Sequence, residues 1–315
     1  MLGRKIKTIM KNNFIYLWWY TDKPNVGDFA SYYVVRNISS AEIIYKDPRI
    51  SLRFYIKRFI KSLFCFKFYR FNLKNYVMPW QKCYMSIGSN LDFSNYKVVN
   101  WGGGFREYDS KPKGSRVVAV RGKLSQKIVA NSNLPIGDPA ILLPLITDGY
   151  YPCPSRKKIM RNISVVPHFN DYDDLSKICS HFNVLDVRTC DLINFVNEIK
   201  KSDCVLSSSL HGIIIAHSYG IPALWIRKNY VDSGVFKYHD YFSSVGIDLY
   251  DGFDNINEIF ENAESVNYLF SNYSNYSLPH SELIYLANDL IRSAPFRIKP
   301  DFELLVKNIL EKECK

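Results

Sequence analysis

Asp203-Cys204-Val205-Leu206-Ser207-Ser208-Ser209-Leu210-His211-Gly212-Ile213-Ile214-Ile215-Ala216, closed by Gly220-Ile221-Pro222, is the stretch on which the fold is read. The apolar run at Cys204 is short enough for a buried strand, and the run from Ile213 to Ala216 suits a helix buried on most faces. Ser207–Gly212 then marks the passage from strand to helix, with His211 at the helix start. Free backbone N–H groups and the positive end of the helix point outward there, a geometry that holds anions. A histidine so placed has two readings. It caps a packed helix, or it binds phosphate and moves a proton.

Outward from this junction the same alternation recurs. Upstream, strands are expected at Phe14–Tyr20, Ala41–Tyr45, Cys83–Ile87, Lys97–Trp101 and Arg116–Arg121, with helices at Phe29–Ile38 and Leu124–Ala130. The second half restarts at Ile163–Pro167 and runs through helix Asp173–His181, strand Val184–Val187 and helix Asp191–Lys201. Strand Cys204–Ser207, helix His211–Tyr219 and strand Ala223–Ile226 follow, with helices at Leu283–Ser293 and Asp301–Lys312. Alternating strands and helices predict parallel sheets with crossover helices. Tyr151–Lys158, with two prolines, reads as a linker. The expectation is an α/β chain of two Rossmann-like, doubly wound domains, 1–150 and 151–315, with a cleft between them. Gly88 and Gly102-Gly103-Gly104 end strands on the edge where such sheets bind ligands. Neither half has GxGxxG or a P-loop, so a dinucleotide or P-loop enzyme is not expected.

The 315 residues carry 41 Lys and Arg against 30 Asp and Glu, a net of +11 that favours an anionic partner. Seven scattered cysteines make no CxxC pair and no zinc spacing, which predicts a reducing cytoplasm and no structural metal; no cofactor is expected. The basic start followed by Phe14–Tyr20 is too short for a signal sequence, and no stretch has the length of a membrane span.

Residues 46–74 hold nine basic side chains and one acid, Asp47. As a helix, Leu52, Tyr55, Ile56, Phe59, Ile60, Leu63 and Phe66 share one face, and Arg53, Lys57, Arg58 and Lys61 lie mostly opposite, on a polar face that Phe54 and Phe64 interrupt. Such a segment either rests on an anionic membrane, peripherally on its inner face, or packs on its own domain with solvated lysines. Binding of single-stranded nucleic acid ranks below both.

The ordered set Asn25-Val26-Gly27-Asp28, Ile87-Gly88-Ser89, Asn100–Phe105, Val120-Arg121-Gly122, Gly137-Asp138-Pro139-Ala140, Val166-Pro167-His168, Ser207–Gly212, Gly220-Ile221-Pro222 and Lys237-Tyr238-His239-Asp240-Tyr241 resembles the polysaccharide pyruvyl transferase family. It covers roughly residues 12 to 246 and looks most like the branch acting on bacterial exopolysaccharide or capsular sugars. The resemblance implies two domains arranged as in GT-B glycosyltransferases, phosphoenolpyruvate as donor, and a pyruvate ketal on two sugar hydroxyls as product. The acceptor would be a polysaccharide or its lipid-linked precursor. One departure is Ser209, which stands where many members carry Arg. On this reading His211, His168 and Asp28 are the catalytic candidates. Arg121, Ser209, Gly212, Lys237, Gly103, Gly104 and Asn25 are the substrate-binding ones, with Lys237 the candidate for the missing guanidinium. Plainer roles stand beside these: helix caps for Asp28 and His168, a solvated lysine at 237, and a turn at Asp138. A GT-B glycosyltransferase using a sugar nucleotide is the rival enzyme. A membrane-surface or nucleic-acid binding protein built on residues 46–74 is the rival outside catalysis.

Overall fold

The computed structural model describes residues 14–64, 75–155, 157, 159–228 and 234–313. The basic residues before Phe14, and Lys67, Arg70 and Lys74 of the basic segment, lie outside them.

Two wholly parallel sheets carry the fold. The first contains β1 (Phe14–Trp18), β2 (Glu42–Tyr45), β3 (Cys83–Met85), β4 (Val98–Trp101) and β5 (Arg116–Ala119), in the spatial order 2-1-3-4-5. The second contains β6 (Ile163–Val166), β7 (Asn183–Val184), β8 (Cys204–Ser207) and β9 (Ala223–Trp225), in the order 7-6-8-9. The strand order reverses beside β1 in one sheet and beside β6 in the other. β6 and β8 are buried at every position, so they read as continuous apolar runs rather than alternating ones.

The helices expected from the sequence are present with shifted ends. α1 spans Val26–Ile38, starting earlier than expected because the Asn25 side chain accepts from the amides of Gly27 and Asp28 and opens the helix there. α2 is Leu52–Phe64, α3 Lys123–Val129, α4 Leu143–Thr147, α5 Tyr172–Ile178 and α6 Leu192–Lys200. α7, Leu210–Ser218, buries eight of its nine residues; the exception is His211. α4, α8 (Val235–Val245), α9 (Ile256–Ile259) and α10 (Ala263–Asn272) were not foreseen. In α8 the apolar signal is masked because polar residues such as His239 and Asp240 are themselves buried. α11 (Leu283–Ser293) and α12 (Pro300–Glu313) close the chain.

The largest apolar core runs through both halves, from Ile15 and Leu17 through Val166, Ile213 and Ile214 to Val306. α1 packs against α4, α6 and α7, and its Val26 amide donates to the Val187 carbonyl at 2.9 Å. The C-terminal segment also touches the first half, α11 packing beside β5. The Trp101 indole N–H donates to the Leu290 carbonyl at 2.8 Å, and the Lys299 amide to that of Ile38 at 2.8 Å. Trp101 is fully buried, and that carbonyl satisfies its only donor.

Candidate active site

A cavity of about 540 Å³ opens where both strand orders reverse. From the first sheet it takes Trp18 at the end of β1 and Tyr20 after it, Asn25 and Asp28 at the start of α1, and Ile87–Asn90 after β3. From the second it takes His168, Phe169 and Asn170 after β6, and Ser209, Leu210 and His211 after β8. Such switch points, at the carboxyl ends of parallel strands, are where these sheets leave a crevice for ligands. The volume falls in the range of roughly 300–1,000 Å³ usual for small-molecule sites.

Two helix starts meet here. A Cβ on Gly27 would overlap the His211 ring, so the glycine lets the imidazole lie against the first turn of α1. Ser209 precedes α7 without a side-chain hydrogen bond to its first-turn amides, leaving the positive end of that helix uncapped from this side.

The charges are one-sided. Lys23, Arg49, Arg106 and Lys237 line the wall against one carboxylate, Asp28. Arg49 lies bidentate on Asp47, at 3.0 and 2.9 Å, and over the Trp18 ring at 4.8 Å. Lys23 reaches across from the first half to the Phe169 ring, 4.7 Å away. Arg106 stacks toward Phe93 at 5.7 Å. Burial, and then the charges of Arg121 and Arg106, pull the Lys237 ammonium down to about 8.

Burial pushes the Asp28 carboxyl from an ordinary 3.8 up to about 7. Burial, with the nearby charge of Arg121 second, holds the His211 imidazole at about 3, so it is neutral in the free protein. Its Nε2 is buried and meets no hydrogen-bond partner among the described residues. His168 is likewise held down to about 4, by burial and then by Lys237, while its amide donates to the Ser208 hydroxyl at 2.8 Å.

Six of the candidate residues therefore share one wall: Asn25, Asp28, His168, Ser209, His211 and Lys237. The other four stand elsewhere. Arg121 was expected to grip an anion, but its side chain has no exposed surface. Its guanidinium donates to Asp240 at 3.0 Å, to the Ser89 hydroxyl at 2.8 Å and to the Phe105 carbonyl at 2.9 Å. Asp240 also accepts from the Ser125 amide at 2.8 Å and hydroxyl at 2.6 Å. This network clamps α8, which carries Lys237, onto the first half. A Cβ at Gly104 would collide with both Arg121 and Asp240, and one at Gly122 with Asp240. A Cβ at Gly103 would overlap Asn90 and Asn100, and one at Gly212 would press on the Ser207 hydroxyl and Val166. These three glycine candidates serve close packing behind the cavity wall.

Lys23, Arg49 and Arg106 went unnoticed in the sequence as site residues. Arg106 directly follows Gly102–Phe105, and Lys23 directly precedes Pro24–Asp28, so adjacency to a motif was the available signal. Arg49 was counted only as part of the basic segment. Asp138, read as a turn residue, accepts from the Ala140 amide at 3.0 Å in a 3₁₀ turn.

One curated relative, an uncharacterised protein of Acanthamoeba polyphaga mimivirus, is 28% identical over 185 residues. The match covers 54% of this chain and spans 62% of the relative's length. The sequence pattern of the polysaccharide pyruvyl transferases matches residues 25–229, which includes the whole second sheet, Asp28, His168 and His211. The chain belongs to the polysaccharide pyruvyl transferase family.

Proposed function

We propose that the protein transfers pyruvate from phosphoenolpyruvate to two hydroxyls of a saccharide acceptor, closing a ketal, with its two sheets forming a GT-B-like pair of domains, 1–150 and 151–315, about the cavity. The carrying observation is a cavity with four cationic side chains around a single carboxyl held near 7. Phosphoenolpyruvate has a phosphate and a carboxylate on a three-carbon frame, and Lys23, Arg106, Lys237 and the start of α7 supply complementary charge. Arg121 acts behind them. Its clamp on Asp240 positions α8, and its charge adds to the local field.

The chemistry needs an acid, then a base. Asp28, protonated up to about pH 7, gives a proton to the enol methylene, which becomes the methyl group. One sugar hydroxyl bonds to the adjacent carbon. His211, whose Nε2 lacks a partner among the described residues, takes the proton from that hydroxyl; a bound phosphate dianion beside the ring raises its proton affinity. A second hydroxyl then displaces phosphate from the same carbon, and its proton leaves with the phosphate. Asn25 caps α1 and holds Asp28 at the helix start.

Thermal stabilisation by phosphoenolpyruvate, set against uridine, guanosine and cytidine sugar nucleotides, tests the donor. A ligand at roughly a hundred times its dissociation constant adds about 2.7 kcal/mol. A shift with phosphoenolpyruvate that Arg106→Gln or Lys237→Gln weakens supports the reading. A shift with a sugar nucleotide alone refutes it in favour of glycosyl transfer.

A further inference from the structure

Helix α2 is a prominent exposed feature for which the cavity has no use. Leu52, Ile56, Ile60 and Leu63 are 50%, 45%, 45% and 41% exposed. Their spacing puts all four on one side of the helix. Arg53, Lys57 and Lys61 fill the flank and the opposite side, also exposed, and the helix contains no Asp or Glu. Half-buried Tyr55 stacks on Tyr76 at 4.5 Å between ring centroids and ties the first turn to the protein body.

An aliphatic row flanked by cations, with Phe54 and Phe64 exposed among them, complements a surface that is apolar within and anionic at its rim. A phospholipid leaflet with acidic headgroups has that structure. A single nucleic-acid strand would use the cations and aromatic faces, but it gives the row of Leu and Ile nothing to enter. The helix has 13 residues, about 20 Å of length, against roughly 30 Å of bilayer hydrocarbon. Among the described residues no helix is long and apolar enough to cross a membrane, so α2 suits the interfacial plane.

We propose that α2 seats the protein on an anionic bilayer, Leu52, Ile56, Ile60 and Leu63 entering the headgroup boundary and Arg53, Lys57 and Lys61 meeting acidic headgroups. The seat adjoins the cavity, since Arg49 lines its wall and α2 starts three residues later at Leu52. One consequence rests on the pyruvyl-transfer reading: the acceptor is a saccharide carried on a membrane lipid, which reaches the cavity from the bilayer surface.

The test is cosedimentation of the full chain with vesicles of phosphatidylglycerol mixed into phosphatidylcholine, and with phosphatidylcholine alone, at low and high salt. Wild type pellets with the anionic vesicles, and high salt releases it. Each lysine at the surface strengthens binding roughly fivefold, so Lys57→Glu with Lys61→Glu weakens it at least twentyfold. Ile56→Gln with Ile60→Gln weakens it without changing the salt dependence. Equal recovery with neutral vesicles, no recovery with either, or a double charge reversal that binds like wild type overturns the proposal. Wild type that ignores vesicles yet binds a single-stranded oligonucleotide through Lys57 and Lys61 replaces the bilayer with nucleic acid. The phosphoenolpyruvate-induced thermal shift is read on each variant. Retained there, it reports an intact fold. Absent from every variant while anionic vesicles still bind, it sinks the donor reading and leaves the docking surface standing.

Discussion

Asp28→Asn separates the catalytic role of this carboxyl from its effect on folding. An acid at about 7 in the folded chain and near 3.8 in the unfolded one gives up its proton at lower pH when unfolded. Between those values the unfolded state binds fewer protons than the folded state, so stability falls as pH rises from about 4 to about 7 and stays low above. The gap of about three pH units corresponds to about 4 kcal/mol, and to about 2 kcal/mol if water reaching the half-buried carboxyl screens it. Asparagine has nearly the same shape and no charge to bury. Asp28→Asn is therefore expected to match wild type near pH 4 and to exceed it by about 2–4 kcal/mol at pH 8. At roughly 2 °C per kcal/mol, this is a rise of about 4–8 °C in melting temperature. The same variant should lose phosphate release from phosphoenolpyruvate and acceptor, because the proton donor is gone. Melting curves across this pH range, with turnover at each pH, form the assay. A difference that does not change with pH, or an Asn variant less stable than wild type at pH 8, refutes the reasoning.

Arg121→Ala strands Asp240 as a buried charge, and we expect a loss of about 3–5 kcal/mol in urea unfolding, with Arg121→Ala plus Asp240→Ala less harmful than the single changes added together; a single variant with an unchanged midpoint contradicts the clamp. Gly27→Ala favours helix α1 by about 1 kcal/mol in intrinsic terms. Its Cβ nonetheless meets the His211 ring, so turnover should fall far more than melting temperature does; the two measured together decide. Lys237 loses its charge above about pH 8, so phosphoenolpyruvate affinity by calorimetry should weaken there in wild type and not in Lys237→Met; parallel pH profiles would remove Lys237 from the anion site.

The alternation of strands and helices was legible in the sequence because every strand of a parallel sheet covered by helices reads as an apolar run between turn residues. Cys204–Ser207 and Leu283–Ser293 have the boundaries the sequence predicts, and most other elements differ by one to three residues. The strand–helix junction at His211 was legible for the same reason, as were the positions of Asn25, Asp28, His168, Ser209 and Lys237 in motifs. The outward face of a motif residue was not. Arg121 and Lys237 are both cations within motifs of this chain, yet one is buried on Asp240 and the other lines the cavity. Which of the two meets a ligand depends on where Asp240 lands, 119 residues away in sequence, and local pattern carries no information about that. The charge balance of the site was hidden likewise: Lys23, Arg49 and Arg106 come from separate loops that meet only because both sheets reverse their strand order at the same place. Local apolar periodicity and glycine placement are properties of neighbouring residues, so the sequence by itself determined the α/β class, the junction and the amphipathic basic helix. Burial and long-range charge are properties of the packed chain, and only the tertiary structure decided which cations face the cavity, which carboxyl titrates near 7 and which glycines serve packing.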